Sequence, residues 1–557
     1  LYGATAADLR DIKDKYNKFQ ILKCPWCGTK LTKDVSPKKS LVGQWGYMFR
    51  SGHFYMACQQ ESCLFESSLP IQVVDEELYN KPPTLLFGTV DKFAMLPWKK
   101  EVGSFFAVDS ENRTPELIIQ DELHLISGPL GTIVGLYEVA IDALCSKKGV
   151  KPKIVASTAT IRRAKEQCSA LYNREVRQFP PAGLNAEDSF FAREADLNEK
   201  PGRLYMGIMP SGKTKAMMEV RTIAAILQRV HMMDLPYDIK DKFWTIAVYF
   251  NSLRDLGKCS TLIDDDVKDF IRRIAYRFGT RKGIRQIGAA SELTSRVSTS
   301  QLNETLEKLE RLEYTKENLE AKKYPINVLL ATNMISVGVD VARLNIMLLV
   351  GQPKLTSEYI QASSRIGRTY PGIAFTLYDG TKSRDRSHYE QFKSYHESFY
   401  KYVEPTGVTP FAKPARDRAL HAVMVTMIRH MCGLSADSDA VYFDTDLDGV
   451  KDIENYILER LKEIRSRVDF EYADETDSIR NEMMQFWIEW KERIELAGHK
   501  NFYYGDRFIV KPPAGDAKRL LRVFGSGGND YSRETLTSMR NVDKSVAANF
   551  LVWGDTE

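Results

Sequence analysis

Asp121-Glu122-Leu123-His124 directly follows the apolar run Leu117-Ile118-Ile119. At the carboxyl end of a buried strand, one carboxylate of such a pair can hold Mg²⁺ while the other polarises an attacking water. Alone the pair is a weak signal, because surface turns are full of acidic residues. Further blocks follow it in order: Ser157-Thr158-Ala159-Thr160, then Ala331-Thr332-Asn333 with Gly338-Val339-Asp340, then Gln361 with Arg365-Ile366-Gly367-Arg368. Each offers groups that phosphate chemistry uses. Arg365 and Arg368, three apart on a helix, would share a face, and a guanidinium fork suits the equatorial oxygens of a transferring phosphoryl group. Gly338 permits close backbone approach, and Asp340 can accept from a ribose hydroxyl or an arginine. Thr89 and Thr332 carry hydroxyls at strand ends, suited to phosphates along a single strand. Plainer alternatives stand beside each: a solvated helix face for the arginines, turn capping for the threonines and Asp340, packing for His124.

A second constellation is Cys24-Pro25-Trp26-Cys27-Gly28 with Cys58 and Cys63. Two cysteine pairs can close a tetrahedral S₄ site for Zn²⁺. The Gly- and aromatic-rich stretch 42–55 between them predicts short β-hairpins, and hence a zinc ribbon at about 20–70. A redox pair is the poorer reading, since no thioredoxin-like βαβ pattern surrounds it. His53 is a substitute ligand if Cys58 or Cys63 is not used.

The elements that must position these groups alternate. Strands are expected at 84–89, 116–121 and 153–157, with an apolar helix at 133–144. All three polar blocks of this stretch fall at strand carboxyl ends, where parallel α/β sheets place their chemistry. Residues 177–202, with Pro180-Pro181 and Pro201-Gly202, read as a linker. A second alternating block follows, with strands at 203–209, 244–250, 326–330 and 346–350. An amphipathic helix carries Leu302, Leu306, Leu309 and Leu312, with Glu304–Lys308 and Glu307–Arg311 pairs. A helix from Glu358 to Arg365 is expected to carry the arginines. The fold class is thus α/β, with two RecA-like parallel-sheet lobes, a zinc-ribbon insertion, and a mixed, mainly helical C-terminal region. Boundaries fall at 1–200, 201–380 and 381–557.

The 557 residues are 43% hydrophobic and 27% charged, a globular balance. No apolar run approaches the ~20 residues that span a bilayer, so no membrane partner is expected. A net charge of +4 neither demands nor excludes nucleic acid. Eight cysteines, four of them isolated, do not form a secreted disulfide framework, and a reducing cytoplasm is expected.

Taken together, the ordered blocks resemble motifs II, III, V and VI of superfamily 2 DNA/RNA helicases. The strings 331–340, Gly351-Gln-Pro-Lys354, Arg384-Asp-Arg-Ser-His-Tyr389, Thr409-Pro-Phe411 and Ser538-Met-Arg-Asn-Val-Asp543 are similar to the helicase subunit of the DISARM anti-phage system. The resemblance implies ATP and Mg²⁺ as cofactors beside Zn²⁺, and translocation on nucleic acid, expected to be DNA, within a multi-subunit defence complex. It also implies Asp121, Glu122, His124, Arg365 and Arg368 as catalytic, Gly338, Asp340 and Gln361 as nucleotide-binding, and Thr89 and Thr332 as strand contacts. The departure is that no motif I precedes Asp121, so the phosphate-binding lysine is expected upstream of Leu1, and this piece alone is expected to be inactive.

One string nevertheless matches a phosphate-binding loop: Gly207-Ile-Met-Pro-Ser-Gly212-Lys213-Thr214. It follows an expected strand and opens a helix. It lies beyond the linker, however, on the other lobe from Asp121, and Pro210 removes an N–H donor. A turn into a helix is the preferred reading. Two alternatives remain: an NTPase or kinase built on this loop, and a non-catalytic zinc-ribbon scaffold that binds nucleic acid.

Overall fold

The computed structural model describes residues 21, 23–31, 46–158, 162–181, 183–185, 188–193, 195–196, 198–200, 202–279, 283–297, 299–333, 341–467, 475–498, 502–505, 518–526 and 531–540. Contacts divide the chain into two compact units. One comprises Leu1–Thr158, Arg163–Arg177 and Thr406–Glu557; the other comprises Ala159–Arg162 and Gln178–Pro405.

In the first unit, strands β1 (Tyr47–Arg50) and β2 (His53–Met56) form an antiparallel hairpin. Ser51 and Gly52 turn it with φ of 51° and 82°, the left-handed pair that two-residue hairpins favour. Strands β3 (Leu117–Gln120) and β4 (Lys153–Ala156) pair in parallel, Leu117 opposite Lys153 and Gln120 opposite Ala156. The expected strand at 84–89 is absent: these residues are bend and coil and pair with no described strand. Pro82 and Pro83 remove two N–H donors at its start, and Leu85, Leu86 and Phe87 lie exposed. The apolar run of β3 was expected to be buried, yet Leu117 and Ile119 are 53% and 63% exposed.

Helix Gly128–Ser146 connects β3 to β4. It is the one described helix long and apolar enough to cross a membrane, which corrects the sequence reading that no run approaches that length. Most of it is buried inside the first unit, packed on helix Lys413–Met431. Small residues permit the close approach of the chain at 406–411: a Cβ at Gly131 would lie 2.5 Å from Val408, and one at Gly135 2.6 Å from Pro410. From Thr406 onward the C-terminal region, mostly helical through Val450–Arg467 and Thr476–Ala497, is built into the first unit, whereas 381–405, expected to belong to it, fall in the second. Asp142 anchors it further, accepting from Arg174, from Arg460 at 2.9 Å and from the Tyr456 hydroxyl at 2.9 Å. One turn away, burial pushes the Glu138 carboxyl up to about 8.

The second unit is a six-stranded, all-parallel sheet. Its strands are β5 (Arg203–Ile208), β6 (Ile246–Phe250), β7 (Ser291–Leu293), β8 (Val328–Ala331), β9 (Ile346–Val350) and β10 (Gly372–Leu377), in the order β5-β10-β9-β6-β8-β7. Alternate residues enter different cores: Ile246, Val248 and Phe250 join one cluster, Ala247 and Tyr249 the other. A sheet covered on both faces needs such continuous apolar strands. Helix Thr299–Arg311 presents Leu302, Leu306 and Leu309 to the second cluster, with Lys308 on Glu304 at 2.7 Å. This is the α/β class expected from the sequence.

Candidate functional site

At the carboxyl ends of β3 and β4 the acidic and hydroxyl blocks meet. The Ser157 hydroxyl donates to Asp121 Oδ1 at 2.5 Å, and the same oxygen accepts from the Glu122 amide at 3.0 Å. The ladder continues past the strands: Ser157 N donates to Gln120 O, and Leu123 N donates to Ser157 O, both at 2.9 Å. Glu122 takes left-handed angles, φ 50° and ψ 51°, a conformation that costs a non-glycine residue of order 1 kcal/mol and persists only where neighbours enforce it. Here that turn brings Glu122 Oε2 within 3.3 Å of His124 Nδ1, which also lies 3.2 Å from Thr158 Oγ1. The His124 side chain is buried, whereas Asp121 is open to solvent. Asp121, Glu122, His124, Ser157 and Thr158 thus form one hydrogen-bonded group; Ala159 and Thr160, the rest of the hydroxyl block, lie outside the described residues.

Gln167 braces this group from behind. Its Nε2 donates to Ile126 O at 2.8 Å, and its Oε1 accepts from Thr406 at 2.6 Å. No sequence motif flagged Gln167, because its partners are main-chain groups and a residue 239 positions away.

In the second unit Arg365 and Arg368 do not share a helix face, contrary to the sequence expectation. Helix Thr356–Ser363 ends before them, and they flank Gly367 in the turn into β10. Gly367 has φ +65°, and a Cβ there would sit 2.9–3.0 Å from Gly372 and Arg203. Arg203 holds the turn by donating to Ile366 O at 2.6 Å and to Ser364 O at 3.3 Å. Gln361 is buried in the last turn of the helix. Thr332 is also buried, its hydroxyl 3.4 Å from Asn333 Oδ1. Gly338 and Asp340 lie outside the described residues.

Thr89 is exposed, and its side chain makes no capping bond to the 3₁₀ turn Val90–Met95 that follows it. The capping alternative is thereby removed for this residue.

The loop 207–214 does join a strand, β5, to a helix, Lys215–Met232. That strand edges the six-stranded sheet, whereas Asp121 lies on the β3–β4 pair. Thr214 precedes the helix and spends its hydroxyl oxygen as N-cap, accepting from Met217 N at 3.2 Å. A capped turn accounts for the string.

The four cysteines converge. All four Sγ atoms lie within 4.8 Å of one another, Cys24 to Cys63 at 4.0 Å and Cys27 to Cys58 at 3.4 Å. Tetrahedral Zn²⁺ with bonds of ~2.3 Å sets sulfurs ~3.8 Å apart, so the residues fit the ion. Gly28, at φ +76°, donates to Cys24 O at 2.9 Å and closes the first turn. Thr29 draws the Cys27 thiol down to about 6, while burial pushes Cys58 up to about 12. His53 is engaged elsewhere, 3.2 Å from Glu77.

Residues 272–370 match the helicase conserved C-terminal domain. Over 585 aligned positions the chain is 38% identical to DISARM protein DrmA of Bacillus paralicheniformis, covering 96% of this chain and 50% of the relative. The chain is thus similar to a DISARM protein over most of its length and carries a match to a helicase C-terminal domain. It spans about half the length of the curated relative it matches. Among solved structures it is similar to DUF1998 helicase MrfA bound to DNA and AMPPNP, at 15% identity and TM-score 0.43, covering 63% of this chain and 42% of that one. It is also similar to Mycobacterium smegmatis helicase Lhr bound to ssDNA and AMP-PNP, at 15% identity and TM-score 0.41, covering 69% and 47%. Two of the strings that carried the resemblance form structural joints. Arg384 donates to the carbonyls of Pro353 and Lys354, and the Thr409 amide donates to Thr132 Oγ1 at 3.1 Å.

Proposed function

We propose that the whole protein is an ATP-dependent translocase or helicase acting on nucleic acid, with DNA the substrate to test first. The observation that carries this reading is the group at the ends of β3 and β4, where Asp121 is fixed by Ser157, and Glu122 and Thr158 share His124. Asp121 would hold Mg²⁺ through its exposed carboxylate, and Glu122 would orient the attacking water. His124 links the water-activating acid to Thr158, so movement of the β4 end is felt at Glu122. Arg365 and Arg368 supply guanidinium charge to the transferring phosphoryl group, worth ~10³–10⁵ in rate for such a finger. Gln361, Gly338 and Asp340 serve the nucleotide. Thr89 and Thr332 serve the strand, with Thr89 the better placed because it is exposed. Zn²⁺ held by Cys24, Cys27, Cys58 and Cys63 stabilises the hairpin module structurally, since four thiolates leave no open position for catalysis. The DISARM resemblance extends the proposal to partner subunits of a defence complex in the cytoplasm.

The test is strand-stimulated phosphate release by the whole protein. Glu122→Gln should abolish turnover while Mg-ATP and oligonucleotide binding persist. Undiminished turnover in that variant would refute the assignment.

A further inference from the structure

Residues 538–540 reach back across almost the whole sequence to the turn that carries Thr89. The Ser538 hydroxyl donates to Asp91 Oδ1 at 2.8 Å, and the Arg540 amide donates to the same oxygen at 3.2 Å. Arg540 Nε lies 2.9 Å from Asp91 Oδ2, so both carboxylate oxygens are engaged. The Asp91 side chain is 20% exposed and that of Arg540 is 68% exposed. Leu536 and Met539 are fully buried, and Leu536 O accepts from Trp98 Nε1 at 2.9 Å. The C-terminal turn is thus pinned by its apolar residues and offers only its polar ones to Asp91. Arg429 and His430 hold the same segment farther along, donating to Trp98 O at 2.9 Å and lying 3.0 Å from Leu96 O.

An unpaired Asp91, two residues from Thr89, would repel a phosphodiester approaching that hydroxyl. Arg540 neutralises it with one edge of its guanidinium and leaves the group largely in solvent. Ordered cationic side chains beside an exposed hydroxyl are how proteins fix nucleic-acid backbones without reading bases.

We propose that Arg540, held with Ser538 on Asp91, positions the Thr89 turn and adds its own phosphate contact, making the C-terminal region part of the strand-binding surface. The inference rests on the strand-contact reading of Thr89. The ligand class is a single-stranded phosphodiester backbone, from DNA or RNA.

The experiment measures binding of labelled oligothymidylate and oligouridylate to the whole protein over a salt series, with thermal melting of each variant as control. Arg540→Ala should weaken both polymers by about tenfold, the worth of one charge-assisted contact. It should also lower the slope of log affinity against log salt by about 0.7, the value for one phosphate on a single strand. Arg540→Lys should restore the slope, and Ser538→Ala should weaken binding with the slope unchanged. In turnover assays the strand concentration for half-stimulation should rise while the saturated rate holds. Unchanged affinity and slope in Arg540→Ala, with Thr89→Ala weakened, overturns the proposal and leaves the Thr89 reading standing. Unchanged binding in Thr89→Ala as well overturns both. Loss confined to one polymer overturns a backbone contact. If Arg540→Ala does not fold, Ser538→Ala decides: unaltered affinity in that variant counts against the proposal.

Discussion

Two of the parallel sheets among the described residues, the β3–β4 pair and the six-stranded sheet, are built from similarly apolar strands and end up in opposite environments. In β6 and β9 every residue is buried, and alternate side chains feed two cores. In β3, an equally apolar run, Leu117 and Ile119 stand largely exposed, and Val155 of β4 is 45% exposed. An apolar run dictates that a strand will form, but what covers the strand depends on neighbours the run does not encode. The consequence for chemistry is a division of labour. The six-stranded sheet draws its rigidity from two hydrophobic cores. The β3–β4 pair is held by polar joints: Ser157 on Asp121, Gln167 under the following loop, and Asp142 with its arginines.

The largest effect is expected from metal removal, because the hairpin module has a small core and structural zinc contributes on the order of 10 kcal/mol to such modules. Chelation, or Cys58→Ser, should strip hydrogen-exchange protection from β1 and β2 while β6 and β9 keep theirs. Equal loss in β6 would mean that the second unit's stability is not its own. Next, Leu348→Ala should cost about 3–5 kcal/mol, as for a fully buried leucine, whereas Ile119→Ala should cost less than about 1 kcal/mol. Comparable costs in denaturant titrations would show that β3 is covered in the working protein.

Smaller is the pH effect at Glu138. Its folded value of about 8 lies above the ordinary carboxylate range, so between about pH 4.5 and 8 the folded state binds more protons than the unfolded one. Stability should therefore fall as pH rises through that window. Glu138→Gln should flatten the fall, gaining about 1–2 kcal/mol at pH 8 and almost nothing at pH 4. A gain independent of pH would exclude the carboxyl as its cause. Smallest is Arg203→Ala, which leaves the carbonyls of Ser364 and Ile366 without their guanidinium donor. It should cost about 1 kcal/mol and depress turnover through the Arg365–Arg368 turn; full turnover would detach that turn from the chemistry.

Much of this was legible in the sequence where period and composition act locally. The strand Ile346–Val350, the helix with Glu304 and Lys308, and the convergence of four cysteines all follow from local pattern. The resemblance of the ordered motifs carried the family. What was not legible depends on distant or conformational partners. The arginine pair left the helix because Gly367 adopts a left-handed turn that Arg203 then secures. Residues 84–89 form no strand because two prolines precede them and no described neighbour pairs with them. The clamp on Asp91 joins positions 447 residues apart, a contact no spacing rule anticipates.

On the proposed function, Asp121 and Glu122, and not the phosphate-loop-like string ending in Lys213 and Thr214, carry ATP hydrolysis. The most direct measurement is strand-stimulated ATP turnover by the whole protein in two variants side by side. Glu122→Gln should abolish it and Lys213→Ala should leave it intact, whereas turnover that survives Glu122→Gln and is lost in Lys213→Ala would place hydrolysis on the 207–214 loop instead.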